Sequence, residues 1–110
     1  MTPDKLFDIL TKYAESQGIR LNKDKVFVMD ILQGLLTNEV RYGYRSCPCR
    51  LAWGVKDKDA DIVCPCVYRN PDIAEFGSCF CGLYVSVAWN EGEIEHKQVP
   101  ERRPKEKRVL

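Results

Sequence analysis

The chain has 110 residues, of which 45% are hydrophobic, so it is long enough for one domain that buries its own core. Its 17 basic and 16 acidic residues leave a formal charge of +1, which excludes the strongly basic composition typical of proteins that bind nucleic acids or anionic membranes. Residues 1–18 are charged from Asp4 onward and contain no apolar run long enough for a signal peptide or a membrane span, so we expect a cytoplasmic protein.

The first part of the chain predicts two helices. Thr2 and Pro3 are typical of a helix start, and apolar residues then recur at helical spacing until Gly18. A second helix is predicted from an N-cap at Asn22 to an end near residues 37–38, with apolar residues along one side. Both helices are expected to form the scaffold of the domain.

Short extended and helical segments are predicted in the second part. Residues 39–46 alternate between apolar and polar side chains, and residues 83–89 are rich in strand-forming types, so both favour extended structure. The two linkers between the cysteines each predict a short helix, one that begins at Asp59 or Asp61 and one that begins at residues 70–72.

The tail at residues 101–110 is dense in charge, contains a proline and has few apolar side chains, so it is predicted to be a frayed end. Taken together, the segments predict one domain over residues 1–110. Its fold class is mainly α with minor β, and turn-rich loops between residues 46 and 82 carry the cysteines.

All six cysteines form Cys-x-Cys pairs, namely Cys47 with Cys49, Cys64 with Cys66, and Cys79 with Cys81. Two cysteines separated by one residue do not easily form a disulfide with each other, because the small ring would strain the Cα separation and the torsion angle. Pro48 and Pro65 exclude a helix interior, so the two members of a pair are expected to point in different directions. In a reducing cytoplasm this cluster favours metal ligands or redox thiols over a secreted-type disulfide framework.

The number of cysteines constrains their chemistry. Four thiolates complete a zinc site or an iron–sulfur cluster, so six cysteines leave two over. The usual spacings of zinc sites and of ferredoxins are absent, and the single histidine, His96, lies in a polar stretch typical of the protein surface. The pattern favours four ligands and two reactive thiols. A structural zinc or iron–sulfur interaction module without catalysis, and a plain electron carrier, are the alternatives.

In this order, CPCR at 47–50, CPC at 64–66 and CFC at 79–81 resemble the catalytic subunit of ferredoxin:thioredoxin reductase. The likeness covers residues 40–85. It implies an oxidoreductase that passes electrons from ferredoxin, through a [4Fe–4S] cluster and an adjacent redox-active disulfide, to thioredoxin or a similar disulfide protein. It further implies that the cluster is held by Cys47, Cys64, Cys66 and Cys79, and that the reactive disulfide joins Cys49 and Cys81.

Two neighbours of these cysteines bear on the resemblance. The third unit of the family is usually Cys-His-Cys, with a histidine held to assist proton transfer, whereas this chain has Phe80. Arg50 directly follows Cys49 and either lowers the pKa of that thiol or is an ordinary surface charge. The resemblance leaves open whether the chain acts alone, as a homodimer or with a small second subunit, and neither a nucleic acid nor a membrane is expected as a partner.

Overall fold

In the computed structural model, which describes residues 1–109, two long helices form the scaffold. Helix α1 spans Pro3–Ser16 and helix α2 spans Lys25–Tyr42. The Thr2 hydroxyl caps α1 by accepting a hydrogen bond from the Lys5 N–H at 3.2 Å. Proline then occupies the first turn, where its missing N–H costs no hydrogen bond, so the predicted start of the first helix is confirmed.

The start of α2 differs from the prediction by two residues. Its N-cap is Asp24, whose carboxylate accepts a hydrogen bond from the Phe27 N–H at 3.1 Å. The predicted cap, Asn22, instead accepts a hydrogen bond from the Asp24 N–H at 3.0 Å and donates one to the Gly82 carbonyl at 3.0 Å. Asn22 therefore shapes the turn before the helix and ties it to the third cysteine pair.

The end of α2 also differs from the prediction. The helix continues to Tyr42, so an end near residues 37–38 and an extended segment from residue 39 are both wrong. Gly43 ends the helix with a φ of +86°, a left-handed conformation that glycine adopts without a steric penalty. The first cysteine pair therefore follows a helix end instead of a strand.

The other elements are short: helix α3 at Lys56–Asp59 with a 3₁₀ turn at Ala60–Ile62, helix α4 at Arg69–Phe76, helix α5 at Val87–Asn90, and a 3₁₀ turn at Lys105–Lys107. Strands β1 (Arg20–Leu21) and β2 (Tyr84–Val85) pair antiparallel. The linkers thus hold short helices, although α3 ends at the residue where a start was predicted. The extended segment predicted at 83–89 is limited to β2, because the chain enters α5 directly afterwards.

The core lies between α1, α2 and the β2 region, and consists of Leu6, Leu10, Ala14, Leu21, Val28, Ile31, Leu32, Leu35, Leu36, Cys79, Leu83 and Tyr84. Because this cluster includes Cys79, the third cysteine pair is rooted in the core. The architecture confirms the predicted fold class of a small, mainly helical single domain with minor β structure. Among residues 1–109, no helix combines the length and apolar character needed to cross a membrane.

Gly34 lies in the middle of α2, where the helix passes very close to the first cysteine pair. A Cβ atom placed on Gly34 would lie 2.9 Å from the Cβ and 3.3 Å from the Cγ of Pro48. Contacts this short require the proline to move, and Pro48 sits between Cys47 and Cys49. The glycine therefore allows α2 to support the cysteine turn at close range.

We expect Gly34→Ala to lower the free energy of unfolding by about 1 kcal/mol or more, because overpacking outweighs the gain in helix propensity. Urea titration followed by circular dichroism measures the change. Val40→Ala is the matched control, since Val40 lies on the same helix with 90% of its surface exposed and the substitution raises helix propensity without a clash. Stabilisation by Gly34→Ala would contradict the close approach to Pro48.

Residues 101–109 pack on the domain, contrary to the frayed end predicted for residues 101–110, of which Leu110 lies outside the described residues. The Arg103 side chain is only 1% exposed, and its guanidinium lies 2.9 Å from the Asp61 carboxylate and 3.5 Å from that of Asp59. It also donates hydrogen bonds to the carbonyl oxygens of Leu51 and Lys58, at 3.3 and 2.9 Å. The tail is thus fixed to the loop after the first cysteine pair by a buried ion pair.

Arg103→Ala should lower the free energy of unfolding by about 3 kcal/mol, because it leaves two poorly solvated carboxylates without their cation. Lys105→Ala, at an exposed position in the same tail, should leave stability within about 0.5 kcal/mol. Chemical denaturation of the three proteins makes the comparison. Equal stability of both variants would mean that the tail is not held by Arg103.

Candidate metal and thiol site

The two outer Cys-x-Cys units each form a tight four-residue turn. The Arg50 N–H donates to the Cys47 carbonyl at 3.2 Å, and the Gly82 N–H donates to the Cys79 carbonyl at 3.0 Å. Pro48 and Gly82 suit such turns, because proline fits the second position and glycine the fourth. The middle unit contains a cis peptide bond between its first cysteine and Pro65.

Backbone pairing brings the three units together. The Cys47 N–H donates to the Ile62 carbonyl and the Cys64 N–H donates to the Arg45 carbonyl, both at 2.8 Å, around an antiparallel bridge between residues 46 and 63. The third unit joins β2 through the Cys79 N–H, which donates to the Tyr84 carbonyl at 2.9 Å. The first and second units therefore share one register, and the third is fixed to the core.

Three sulfur atoms converge at the centre of the site. Those of Cys47, Cys49 and Cys81 lie within 4.8 Å of one another, and the sulfur atoms of Cys47 and Cys81 are 2.8 Å apart. Cys49 is exposed, Cys81 is half-buried and Cys47 is buried. The structure thus places both predicted reactive thiols beside one predicted ligand, with Cys49 as the member that solvent reaches.

The remaining predicted ligands lie deeper around this group. Cys66 and Cys79 are buried and Cys64 is half-buried. Burial raises the pKa of Cys64, and the negative charges of Cys47, Cys79 and Cys66 raise it further. The four predicted ligands are therefore within electrostatic reach of one another, although Cys64, Cys66 and Cys79 are not members of the close sulfur group.

The thiols at the centre differ strongly in acidity. Hydrogen bonds from Cys47 and Cys81 lower the pKa of Cys49 to about 4, and the charge of Arg50 contributes in the same direction. The hydrogen bond that Cys47 donates to Cys49 raises the pKa of Cys47 to about 11. The single S–H of Cys81 faces the sulfur atoms of Cys47, Cys49 and Cys79, and hydrogen bonding to these sulfurs, together with burial, raises the pKa of Cys81 well above the ordinary value. Cys49 is accordingly the thiolate of the group.

Polar groups of the protein stabilise negative charge on two other sulfur atoms. The Tyr84 N–H donates to the Cys79 sulfur at 3.3 Å, and a terminal nitrogen of Arg50 lies 3.5 Å from the Cys66 sulfur. The prediction from sequence placed Arg50 beside Cys49 alone. Its guanidinium in fact contacts the middle cysteine unit, so it is not an ordinary surface charge.

The residues of the site fit an iron–sulfur cluster. Such clusters are held by four cysteine thiolates, and hydrogen bonds to the sulfur atoms tune them. This site offers three converging thiols and three further thiols around them, most of the six shielded from solvent, together with the N–H donor of Tyr84 and the buried cation Arg50. His96 lies outside the site, is exposed and stacks on Trp89 with ring centroids 3.6 Å apart, in line with the surface position expected for it.

Glu101 is a charged neighbour of the site that the sequence did not reveal. Both of its carboxylate oxygens lie 3.0 Å from Nε of Arg50, and they hold the guanidinium beside the sulfur atoms. The two residues are 51 positions apart, and Glu101 lies in the charged stretch predicted to be frayed. The density of charge in that stretch had instead predicted a frayed end.

The comparisons with known proteins agree with the cysteine pattern. The sequence model of one family, described as the ferredoxin thioredoxin reductase catalytic beta chain, matches residues 2–106. Because the match covers almost the entire chain, the protein belongs to this family. The matched region includes α1 and most of the tail, so it extends well beyond the cysteine units. A comparison with curated proteins gives no match.

The acidity of Cys49 predicts an unusual dependence of alkylation on pH. A pKa of about 4 keeps this group deprotonated above about pH 5, so its labelling rate in the reduced, metal-free protein should change less than about twofold from about pH 5.5 to about pH 8. An unperturbed thiol with a pKa of about 8.5 would react roughly 200-fold faster at the upper end of this range. Iodoacetamide labelling and peptide mapping provide the rates.

Cys81 is the internal control for this experiment. Its raised pKa keeps it protonated through the same range, so it should be labelled after Cys49 at every pH. Circular dichroism at each pH verifies that the metal-free protein stays folded. Earlier or equal labelling of Cys81 would contradict the division between the two thiols.

Proposed function

We propose that this member of the ferredoxin thioredoxin reductase catalytic family reduces the disulfide of thioredoxin or a similar protein with electrons from ferredoxin, using Cys49 and Cys81. The observation that carries the proposal is the position of the exposed Cys49 sulfur within 4.8 Å of the half-buried Cys81 sulfur. An accessible thiol that attacks, beside a sheltered thiol that resolves, is the arrangement that thiol–disulfide exchange requires.

The reaction proceeds through two exchange steps at these thiols. The Cys49 thiolate attacks one sulfur of the partner disulfide, forms a mixed disulfide and releases the other partner sulfur as a thiolate. Cys81 then attacks the Cys49 sulfur, which releases the second partner sulfur and leaves a disulfide between Cys49 and Cys81. Two electrons and two protons convert that disulfide back to thiols, so two ferredoxins are oxidised for each partner disulfide reduced.

The proposed cofactor is a [4Fe–4S] cluster held by Cys47, Cys64, Cys66 and Cys79. When bound, it would supply single electrons from ferredoxin to the neighbouring thiol pair. The burial of Cys47, Cys66 and Cys79 supports this ligand set, because solvent access destabilises such clusters and the exposed Cys49 is left free for exchange. The backbone bonds around Cys47, Cys64 and Cys79 also give each of these ligands a fixed position.

The energetics favour electron flow in the proposed direction. Ferredoxins of the plant type have potentials near about −400 mV and thioredoxin near about −270 mV. The difference of roughly 130 mV corresponds to about 6 kcal/mol for two electrons. The free energy of reducing a thioredoxin-like partner is therefore strongly favourable. As the location of the protein we propose the cytoplasm, where such partners are kept reduced.

A surface groove gives a partner disulfide access to Cys49. The groove runs between the third cysteine turn and residues 97–99, which precede the tail, and it is lined by Cys49, Ser78, Cys79, Phe80, Cys81, Gly82, Lys97, Gln98 and Val99. Both reactive thiols line this groove, so an extended loop of a partner can reach Cys49 and be released by Cys81. The groove is open, which suits a protein surface better than an enclosed small molecule.

A structural zinc module is the second candidate, and the close group of Cys47, Cys49 and Cys81 favours it. Structural zinc requires four ligands. Among residues 1–109, no histidine, further cysteine or carboxylate lies close enough to this group to serve as the fourth ligand. Zinc at this position would also remove Cys49 from exchange chemistry. Iron and acid-labile sulfide analysis of the anaerobically purified protein separates the two candidates, as does visible absorption.

Serine variants test the division of the cysteines. We expect Cys64→Ser to lose most of the iron and visible absorption, because four thiolates must saturate the cluster. Cys49→Ser should keep its iron but lose at least about 100-fold in the rate of partner disulfide reduction, since a hydroxyl is a far weaker nucleophile than a thiolate. Iron analysis and anaerobic turnover with ferredoxin and thioredoxin measure both effects.

The two variants serve as controls for each other, because each replaces one sulfur by oxygen within a Cys-Pro-Cys unit. Loss of iron from Cys49→Ser with retention in Cys64→Ser would reverse the assignment. Undiminished turnover in Cys49→Ser would refute the exchange mechanism. The same iron analysis on serine variants of Cys47, Cys66 and Cys79 completes the ligand set.

A further inference from the structure

Arg50 is a buried cation beside the cysteines, and the exchange mechanism gives it no task. Its side chain is only 1% exposed. One terminal nitrogen, Nη1, lies 3.5 Å from the Cys66 sulfur, and Nε lies 3.0 Å from both carboxylate oxygens of Glu101. Burying a guanidinium is costly, and one carboxylate on one edge does not compensate for it fully.

Two aromatic rings fix the guanidinium in place. Its centre lies 4.5 Å from the ring centroid of Phe80 and 5.3 Å from that of Tyr68, distances typical of cation–π contacts. The second terminal nitrogen, Nη2, is buried and has no hydrogen-bond partner in the part of the chain that the structure describes. Arg50 thus keeps unused donor capacity next to the sulfur atoms, where a negatively charged centre would satisfy it.

We propose that Arg50 is a positioning residue that raises the reduction potential of the centre held by the cysteines, and that Glu101 holds Arg50 in place while offsetting part of its charge. The inference rests on the proposed function, because it requires a redox centre ligated by Cys66. Reduction adds one negative charge to such a centre, and a cation at hydrogen-bond distance from a ligand sulfur stabilises the charged product.

Burial makes this interaction stronger than that of a surface charge. Solvent and salt screen exposed cations such as Lys97, which lines the groove beside the reactive thiols. Arg50 and its contact with Cys66 are shielded from water, so the field of the guanidinium acts on the sulfur atoms with little attenuation. Glu101 is 24% exposed and opposes this field from the far edge of the guanidinium.

Because Arg50 and Glu101 carry opposite charges, their removal should shift the reduction potential in opposite directions. Removing the cation should lower the reduction potential, because the added electron loses its stabilising charge. Removing the carboxylate should raise it, because the cation then acts without an opposing charge. A merely structural role would not produce opposite shifts, since loosening the same contact from either partner exposes the centre in the same way.

The experiment is a redox titration of the anaerobically purified holoprotein, monitored by electron paramagnetic resonance and visible absorption. We expect a lower potential for Arg50→Gln and a higher potential for Glu101→Gln, in which the amide oxygen can still accept the hydrogen bond from Nε. Arg50→Lys keeps the charge and should restore most of the potential lost in Arg50→Gln. Lys105→Gln is the control for loss of an exposed charge outside the groove and should leave the potential unchanged.

Shifts of the same sign in Arg50→Gln and Glu101→Gln, or unchanged potentials in both, would overturn the inference. If Arg50→Gln does not retain iron, Glu101→Gln and Arg50→Lys decide: a higher potential in the former and a near-wild-type value in the latter support the inference, and any other result refutes it. Wild-type protein without iron would refute the proposed function and this inference together. Iron-containing protein without the shifts refutes this inference alone.

Discussion

The antiparallel bridge between Ser46 and Val63 is the interaction on which the site depends. Two hydrogen bonds of 2.8 Å on either side of it fix Cys47 against Cys64, although the residues between these two cysteines are mostly loops and short turns. Backbone pairing places the first two units, while Cys79 belongs to the hydrophobic core and Cys64 and Cys81 pack against it. The close approach of Gly34 in α2 supports the first turn from the core side.

Buried ion pairs attach the tail to the cysteine loops. Arg50 and Arg103 both have side chains that are 1% exposed, and each finds a carboxylate from a distant part of the chain. The tail supplies Glu101 to one pair and Arg103 to the other, so it is attached on both sides of the loop that follows Cys49. A buried charge without its partner is strongly destabilising, so the tail and the cysteine loops are expected to order together.

Local signals in the sequence predicted what local interactions determine. Thr2 marked the start of α1 because a capping hydroxyl acts within its own turn, and the six cysteines identified the site because their spacing is chemically specific. The end of α2 was misjudged, since an alternating pattern favours a strand while the true signal was Gly43. The frayed tail was predicted wrongly because the carboxylates that pair with the buried Arg103 lie more than 40 positions earlier in the chain. Pairings at that separation depend on the completed fold.

The contact between Phe80 and Arg50 accounts for the absence of a histidine at position 80. The family usually has a histidine where this chain has Phe80, and a protonated imidazole 4.5 Å from a guanidinium would face a like charge and lose its proton more readily. A phenyl ring avoids this repulsion and offers its electron-rich face to the cation. The positive charge beside the sulfur atoms then belongs to arginine, which stays protonated at all physiological pH values. In the proposed mechanism position 80 has no titrating side chain, so water or a group of the partner protein would supply the protons for disulfide reduction.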